Sequence, residues 1–343
     1  MTRYIGVDLH TNSFTACFLE EGQPERIQTI DLQKGLEGFI ETLQKTDELA
    51  IEATGNSAWF RDQVLPSISR VAVIAPWQFE VIRRSVKKTD KHDARAIAFF
   101  LSKDMVPEAR LKETSHIQLS SLIATRDQMV KLRVSLLNKA HGLFNRHGIK
   151  IKKETLTSKK GFEREASGHE WDVLEQVELE VISGQLDSIK TGCKRLEQEI
   201  ASFVKTLPGY DNIISIKGIG PLSAAVFLCT IGDIEDFAKA GNLAAYFGIT
   251  PRVSQSNDSQ RVGRITKRGN KIARTTLVQC ALIAKRYSPY LHNFYEHIKS
   301  TRGAGKAIIA TARKLLNTIF YTLKKNWVFE NFPEFKLKSC NQS

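Results

Sequence analysis

The sequence predicts an α/β domain at the amino terminus, followed by a mostly all-α region over the rest of the chain. Three observations support this prediction. Strand-like and helix-like segments alternate over residues 1–110, a continuous helical pattern runs from Ser115 to His147, and a heptad pattern of apolar residues runs from Ile182 to Leu207. Alternating strands and helices are typical of an α/β layer, whereas sustained heptads are typical of paired long helices.

Eight elements are predicted in the α/β region. Strands are expected where apolar residues run together or alternate with polar ones, at Tyr4–Val7, Phe14–Phe18, Arg26–Leu32, Glu48–Ile51 and Val71–Ala75. Helices are expected where apolar residues recur every three or four positions, at Leu36–Leu43, Ser57–Ile68 and Asp90–Leu101. The turn from Thr54 to Ser57 supplies residues that favour a helix start.

The heptad segment requires a packing partner, because a one-sided apolar seam is unstable alone in water. That partner is the helix Ser115–His147 of the same chain or a second subunit, so the pattern favours a homodimer or higher homo-oligomer. The charged break Lys150–Lys160 is expected to contact nucleic acid or to be a solvated linker. Residues 210–330 are expected to be mostly helical, and the tail after Phe332 to be frayed.

Charge indicates the class of partner. The 343 residues include 50 Lys and Arg against 37 Asp and Glu, a formal net charge of +13. A basic surface favours phosphate-rich partners, although many proteins are modestly basic. No apolar stretch is long enough to span a membrane, and no secretory signal is recognised at the start, so a cytoplasmic, nucleoid-associated protein is expected. The five scattered cysteines show no CxxC spacing and predict neither disulfides nor a zinc site.

Four acidic residues, two at the ends of predicted strands and two on one predicted helix, are candidate metal ligands. Asp8 and Glu52 each follow an apolar strand, and Asp90 and Asp93 are three residues apart on one predicted helix face. A lone carboxylate is costly to bury unless it is paired or binds a cation, and carboxylate oxygens suit Mg²⁺. For any one of these acids alone, a helix cap or a surface acid is the better explanation. Together, Asp8 and Glu52 favour the metal interpretation, with one or two Mg²⁺ ions acting on a phosphodiester.

Two further segments are typical of phosphate contact. Lys217 precedes Gly218 and Gly220, and a Gly-x-Gly turn between helices lets backbone N–H groups approach a phosphate. The alternative is a tight turn that needs two positive φ angles. Between residues 252 and 274, an extended arm or loop is expected to cradle the DNA backbone with seven cations, rather than be merely solvated. These cations are Arg252, Arg261, Arg264, Lys267, Arg268, Lys271 and Arg274.

Three serines lie within this basic segment, at positions 254, 256 and 259. A serine hydroxyl is a poor nucleophile unless a base, a metal or a cationic environment activates it, and loop serines usually form turns. Spacing alone therefore leaves a nucleophilic serine as the minor alternative.

Taken together, the motifs resemble one family. GVDLH, IEATG and KTDKHDARAIA resemble the RuvC-like, RNase H-type domain of the DEDD transposases of insertion sequence family 110, and YFGITPRVSQS with RVGRITKRGN resembles that family's carboxy-terminal transposase domain. The resemblance implies that Asp8, Glu52, Asp90 and Asp93 hold the metal and that Ser256 is the nucleophile. It also implies a structured bridge RNA as partner. The family usually has glycine after the serine, where this chain has Asn257, which tolerates a left-handed turn. Ser254 and Ser259 stay open as alternatives.

These expectations define one architecture and one function. A RuvC-like catalytic domain (1–110) is followed by a coiled-coil dimerisation region (111–207), a transposase domain with the hairpin turn and the serine (208–330) and a tail (331–343). The function implied is cleavage and exchange of double-stranded DNA at element ends and target through a serine–DNA bond, at a composite site within one chain or across a dimer. Two alternatives stay open: a metal-only nuclease or Holliday-junction resolvase with a structural Ser256, and a non-catalytic nucleic-acid-binding scaffold.

Overall fold

The computed structural model describes residues 2–74, 89–108, 114–256 and 259–339, with side chains at 253–262 and at 114 left aside. The chain forms two compact units, residues 1–112 and 113–343, and each is described by itself. The first is an α/β unit, and the second is almost entirely helical. This confirms the predicted mixture of an α/β start and a mainly helical remainder.

The first unit is built on a five-stranded sheet of order β3-β2-β1-β4-β5. Strands β1, β2 and β3 are antiparallel neighbours, whereas β4 and β5 run parallel to β1. This order is compatible with an RNase H-like domain. The strands are β1 (Tyr4–Leu9), β2 (Ser13–Leu19), β3 (Arg26–Asp31), β4 (Glu48–Glu52) and β5 (Arg70–Ile74). All five predicted strands are therefore present, although Ala75 and Pro76 lie outside the described residues.

Helices cover both faces of this sheet. Helices α1 (Leu36–Glu41) and α2 (Ser57–Val64) lie on the face that carries the large apolar side chains of the sheet, with Phe14, Phe39 and Phe60 in edge-to-face contact. Helix α3 (Asp90–Ser102) covers the opposite face. That face presents small residues such as Ala50 and Ala72, so the helix approaches the strands closely.

The second unit begins with a long antiparallel helix pair. Helix α4 (Thr114–Arg146) returns through the short helix α5 (Lys159–Ser167) to helix α6 (Val173–Phe203). Helix α5 was not predicted, and it shows that the expected charged break at Lys150–Lys160 is partly helical. Its single apolar anchor, Phe162, packs into a small core with Phe144 of α4.

The heptad seam of α6 finds its partner within the chain. Ile182, Ile189, Cys193 and Ile200 are buried in the contact with α4. Phe203 departs from the predicted seam, because it is 40% exposed and the following Val204 is buried in its place. Of the two partners that the sequence left open, the helix of the same chain is the one that covers these buried positions.

Six helices and two hairpins complete the second unit over the described residues. The helices are α7 (Tyr210–Ile214), α8 (Pro221–Ile231), α9 (Ala240–Tyr246), α10 (Lys271–Tyr287), α11 (Pro289–Arg302) and α12 (Ala304–Lys324). The first hairpin pairs β6 (Pro251–Ser256) with β7 (Ser259–Ile265), and the second pairs β8 (Trp327–Asn331) with β9 (Lys336–Ser339). One apolar core joins these helices to the ends of α4 and α6.

The second hairpin corrects the expectation of a frayed tail. Phe329 and Phe332 are buried in the core of the second unit, and their rings meet Phe335 at centroid distances of 5.2 and 5.7 Å. Three aromatic residues at three-residue spacing thus anchor a turn on the helices. The predicted boundary at residue 330 falls inside this hairpin.

Candidate active site

The acid at the end of β1 is placed by strand alternation. Ile5 and Val7 point to the face covered by α1 and α2, so Gly6 and Asp8 point to the face covered by α3. Gly6 is in direct contact with α3: a Cβ at this position would lie 2.2 Å from the carbonyl oxygen of Ala94 and 2.3 Å from the amide nitrogen of Ala98. Because only glycine permits this approach, the start of α3 is held over Asp8.

The first turn of α3 supplies two acids. Thr89 caps the helix, with its hydroxyl accepting a hydrogen bond from the His92 amide at 3.3 Å. Asp90 lies one turn before Ala94 and is exposed, whereas Asp93 is 7% exposed. Oδ1 of Asp93 is buried without a hydrogen-bond partner among the described residues, and Nδ1 of His92, which is also unpartnered there, lies 3.9 Å from it. A buried carboxylate oxygen without a donor is costly unless a cation completes it.

A histidine joins these acids. Nε2 of His10 lies 3.3 Å from Oδ2 of Asp8 and 3.5 Å from Oδ2 of Asp90. The three ligand atoms are all within 4.8 Å of one another. The side-chain amide of Asn56 donates a hydrogen bond to the backbone carbonyl of His10 at 3.0 Å. This bond connects the turn that follows β1 to the start of α2. The sequence analysis missed His10, although alternation along β1 puts positions 8 and 10 on one face.

The pKa of Asp8 is affected by the charges of the other three predicted acids. Burial raises the pKa of the Asp8 carboxyl, and the negative charges of Asp90, Asp93 and Glu52 raise it further, while His10 lowers it. Glu52 ends β4, which pairs in parallel with β1 through Val7 and Ile51. The structure thus clusters Asp8 and Asp90 with His10, and it places Asp93 and Glu52 near enough for their charges to act on Asp8.

In the second unit, the predicted Gly-x-Gly turn links α7 to α8. Gly218 has a φ of 103°, and a Cβ there would lie 2.8 Å from the backbone nitrogen of Ala284 in α10. Gly220 has a φ of −100° and begins α8, so only one of the two expected positive φ angles is present. Lys217 is exposed beside this turn.

The basic segment is a β-hairpin that continues into a helix. Ser256 is the last residue of β6 and pairs with Ser259 of β7. The side chains of Ser254, Ser256, Ser259 and Arg261, and all of Asn257, lie outside the described part of the structure. Five of the predicted cations are exposed and form no ion pair with any described residue, namely Arg252, Arg264, Lys267, Arg268 and Lys271.

Arg274 differs from the other cations. It lies on α10, as does Lys271, so the expected extended arm ends before them. Its guanidinium donates to the carbonyl oxygens of Phe247 at 3.2 Å and Arg268 at 3.0 Å. These bonds hold together the turn at Phe247 and the turn at Arg268. The two turns pass very close to each other, because a Cβ at Gly248 would lie 1.9 Å from the carbonyl oxygen of Arg268. The side chain predicted to hold DNA is thus used to hold the base of the hairpin.

Comparison with known proteins matches both units to models of one transposase family. A DEDD transposase model of the IS110 group matches residues 5–149, and a model described as the transposase IS116/IS110/IS902 family matches residues 210–296. Together they cover more than half of the chain. The chain belongs to the IS110 family of DEDD transposases. It is therefore a DNA transposase or recombinase, and the family implies DNA substrates.

Curated relatives of this IS110-family transposase agree along nearly its whole length. The transposase for insertion sequence element IS1111A of Coxiella burnetii is 26% identical, over 91% of this chain and 87% of the relative. The pilin gene-inverting protein of Moraxella bovis is 27% identical, over 95% of this chain and 97% of the relative. A probable family 20 transposase of Pseudomonas aeruginosa is 26% identical, over 68% of this chain and 70% of the relative.

The DEDD family suggests a divalent metal, and the residues of this transposase fit one. The buried, unpartnered Oδ1 of Asp93 and the mutual repulsion that raises the pKa of Asp8 are both relieved by a cation among the acids. Oxygen donors with one imidazole nitrogen suit a divalent ion of the Mg²⁺ or Mn²⁺ kind. Among the described helices, none has the length and apolar character needed to cross a bilayer.

Proposed function

We propose that this transposase excises and inserts a mobile element by cutting and exchanging DNA strands through a covalent Ser256–DNA bond. The observation that carries the proposal is the convergence of Asp8, His10 and Asp90 at the start of α3, beside the buried Asp93. Such a cluster suits phosphodiester chemistry, because clustered carboxylates hold cations against the phosphate.

The chain's own residues divide the work. One or two Mg²⁺ ions are held by the four acids Asp8, Glu52, Asp90 and Asp93. The His10 side chain lies beside Asp8 and Asp90. Bound Mg²⁺ supplies charge stabilisation for the developing oxyanions. The Ser256 Oγ–P bond forms as one bridging P–O bond breaks, and the proton given up by serine is balanced by the one taken up by the departing oxygen. A second strand end then attacks the phosphoserine and releases the serine, which conserves the bond energy through exchange.

The exposed cations of the hairpin hold the DNA backbone in this proposal. Five of them are free of ion pairs with described residues, namely Arg252, Arg264, Lys267, Arg268 and Lys271. Arg261 of β7 is added from the sequence, as the remaining cation predicted in the hairpin. Lys217 with the turn from Gly218 to Gly220 provides a second phosphate contact. Arg274 is left out of this set because its guanidinium donates to two backbone carbonyls, whereas that of Arg252 donates to one, at 3.3 Å, and is exposed.

We further propose that a structured guide RNA directs the enzyme and that the active assembly is a homodimer or larger. The proposal of an RNA partner is based on the resemblance to the bridge-RNA transposases and on the net charge of +13. The test is to purify the full chain from its host and to sequence the RNA that accompanies it. A single enriched structured RNA supports the guide, and a random sample of cellular RNA contradicts it.

The decisive experiment for the serine compares three matched variants. Ser256→Ala, Ser254→Ala and Ser259→Ala are expressed in cells that carry the element in its flanking DNA, and protein–DNA adducts are separated on denaturing gels. We expect the adduct to disappear only in Ser256→Ala. Cleavage that persists there without an adduct supports a metal-only nuclease with a structural serine.

The acid cluster is tested in the same assay. Asp93→Asn removes the charge while keeping the shape of the side chain, and strand cleavage should fall by at least two orders of magnitude because the metal is lost. Absence of cleavage by the wild-type chain at every concentration of Mg²⁺ or Mn²⁺, with its co-purified RNA present, would support the non-catalytic scaffold.

A further inference from the structure

The second unit contains a cavity that the proposed chemistry does not use. It has a volume of about 580 Å³ and lies between helix α12, the start of α11 and the β8–β9 hairpin. This volume is within the range of roughly 300–1,000 Å³ found for pockets that take small organic ligands. The cavity exists because the tail forms a hairpin against the helices instead of fraying.

Five of the twelve residues that line the cavity are aromatic. Tyr290, Tyr321, Trp327, Phe329 and Phe335 all line it. The Tyr290 and Phe335 rings meet at a centroid distance of 5.2 Å, and Phe335 meets Phe329 at the same distance. Tyr290 and Tyr321 are each 50% exposed, so their rings stand at the rim of the cavity and are accessible to a ligand. Exposed aromatic rings around an open cavity favour a flat ligand that stacks.

Two polar groups define what that flat ligand must carry. Oδ1 of Asn317 is buried at the cavity wall and accepts no hydrogen bond from any described residue. A ligand that reaches this oxygen can therefore satisfy it with a hydrogen-bond donor. Nζ of Lys314 lies 4.3 Å from the Tyr290 ring centroid and 3.9 Å from that of Phe294, without a carboxylate partner in the described part of the chain. The carboxylate of Glu334 also lines the cavity, but it is paired with Nζ of Lys336 at 2.7 Å. The unpaired cation Lys314 therefore favours an anionic group attached to the ligand.

We propose that this cavity binds one unpaired nucleobase that carries a hydrogen-bond donor on its edge. The base stacks on the tyrosine rings, its amino or imino group donates to Oδ1 of Asn317, and the adjoining phosphate lies near Lys314. Aromatic side chains hold unpaired bases in this way, and stacking is favourable for every base. The proposal is independent of Ser256 and of the metal, since it rests only on a protein that acts on DNA.

Base capture at this place fits strand exchange. Strands that are cut and exchanged leave bases without partners for a time, and an unpaired base exposes both its faces and its pairing edge. The same chemistry is offered by an unpaired base of RNA, because the cavity contacts named here involve the base and a phosphate rather than the sugar. The test therefore uses both sugars.

The test uses the full chain and single-stranded oligonucleotides with one central 2-aminopurine, a fluorescent base that has an exocyclic amino group. Fluorescence anisotropy measures total binding, which the basic hairpin dominates, while quenching of 2-aminopurine measures stacking on aromatic rings. We expect wild-type protein to quench the single-stranded probe and not the same base held in a duplex. Quenching of the deoxy probe alone, the ribo probe alone or both identifies the source of the base.

Variants separate stacking from folding. Tyr321→Ala should raise the protein concentration needed for half-maximal quenching about tenfold, and Tyr321→Phe should leave it unchanged. Asn317→Leu should raise it by a similar factor, because it removes the acceptor while keeping the branched shape of the side chain. Tyr287→Ala is the matched control, since Tyr287 is 52% exposed on α10 and does not line the cavity. Unchanged quenching in both Tyr321→Ala and Asn317→Leu, at a melting temperature equal to that of wild type, would overturn the proposal.

Discussion

The backbone of Gly6 in β1 lies against the carbonyl oxygen of Ala94 in α3, closely enough that a Cβ at position 6 would come within 2.2 Å of that oxygen. Two residues after Gly6 comes Asp8, and one helical turn before Ala94 comes Asp90. A rise of about 6.6 Å along the strand and of about 5.4 Å along the helix therefore carries both acids to the same end of the contact. The close approach of one glycine thus determines where the candidate metal ligands meet.

Replacing Gly6 with alanine should disrupt this contact. The added methyl group clashes with backbone atoms of α3, which cannot rotate away, so we expect a loss of about 2–4 kcal/mol of stability and a displaced α3. Thermal unfolding measures the stability, and titration with Mn²⁺ measures the site. Gly38→Ala is the control, because Gly38 lies in helix α1 with nothing within 4 Å of an added Cβ. It should leave stability unchanged or raise it slightly.

The α/β unit was predictable because its signals are local. Alternation along β1 and β2 and the apolar runs of β4 and β5 mark each strand, and Asp8 and Glu52 stand where those runs end. The position of α3 over Asp8 was not predictable in the same way. It depends on Gly6, Ala94 and Ala98 packing across a distance of almost ninety residues, which no local pattern reports.

The acid cluster should reduce the stability of the metal-free protein. The pKa of Asp8 is raised above its ordinary value of 3.8 in the folded state, so folding favours the protonated acid. The stability associated with this group is therefore present at acidic pH and is lost as the pH rises through the raised pKa. Asp8→Asn imitates the protonated form, so the metal-free variant should unfold a few degrees higher than wild type at neutral pH.

Metal addition gives the converse result. Mn²⁺ or Mg²⁺ should raise the melting temperature of the wild type, because the ion binds only the folded state, and should have little effect on Asp8→Asn. Calorimetry at neutral and acidic pH measures both effects. An Asp8→Asn variant that is less stable than wild type without metal, yet still stabilised by metal, would show that Asp8 is a structural acid.

His10 is expected to contribute to metal affinity. Its Nε2 atom faces carboxylate oxygens of both Asp8 and Asp90, where the neutral imidazole would supply a nitrogen ligand to the ion. His10→Ala should therefore weaken Mn²⁺ binding about tenfold, measured by electron paramagnetic resonance of the free ion. His292→Ala, an exposed histidine of α11, should change nothing. Tighter binding in His10→Ala would mean that the imidazole occupies the place of a cation.

Two arginines of the basic segment should separate DNA binding from folding. Arg264 is exposed, so Arg264→Ala should weaken DNA binding severalfold and reduce the slope of log affinity against log salt by about 1, with no change in melting temperature. Arg274→Ala removes two hydrogen bonds to backbone carbonyls and should lower stability by about 1–3 kcal/mol. Equal stability of the two variants would contradict the bracing role of Arg274.

The helical unit was only partly predictable from its sequence. The heptad of α6 identified a helix pair but not whether the partner was α4 or another subunit, since apolar seams of both kinds are alike. Phe329, Phe332 and Phe335 recur every three residues, which does not match the two-residue period of a strand, so the second hairpin was missed. The role of Arg274 was missed because charge alone does not distinguish an arginine that binds phosphate from one that binds carbonyl groups.

Oligomerisation is expected through a face of α6 that α4 leaves uncovered. Val173, Leu174, Val177 and Val181 are between 53% and 81% exposed, and three of them recur every four residues along one side of the helix. Such an apolar row favours burial against a second helix.

The double variant Val177→Asp, Val181→Asp should therefore reduce self-association, measured by light scattering of the RNA-free and RNA-bound chain. Leu282→Asp, at a position 41% exposed on α10, is the control. A wild-type chain that scatters only as a 38.6 kDa monomer in both states would contradict the prediction.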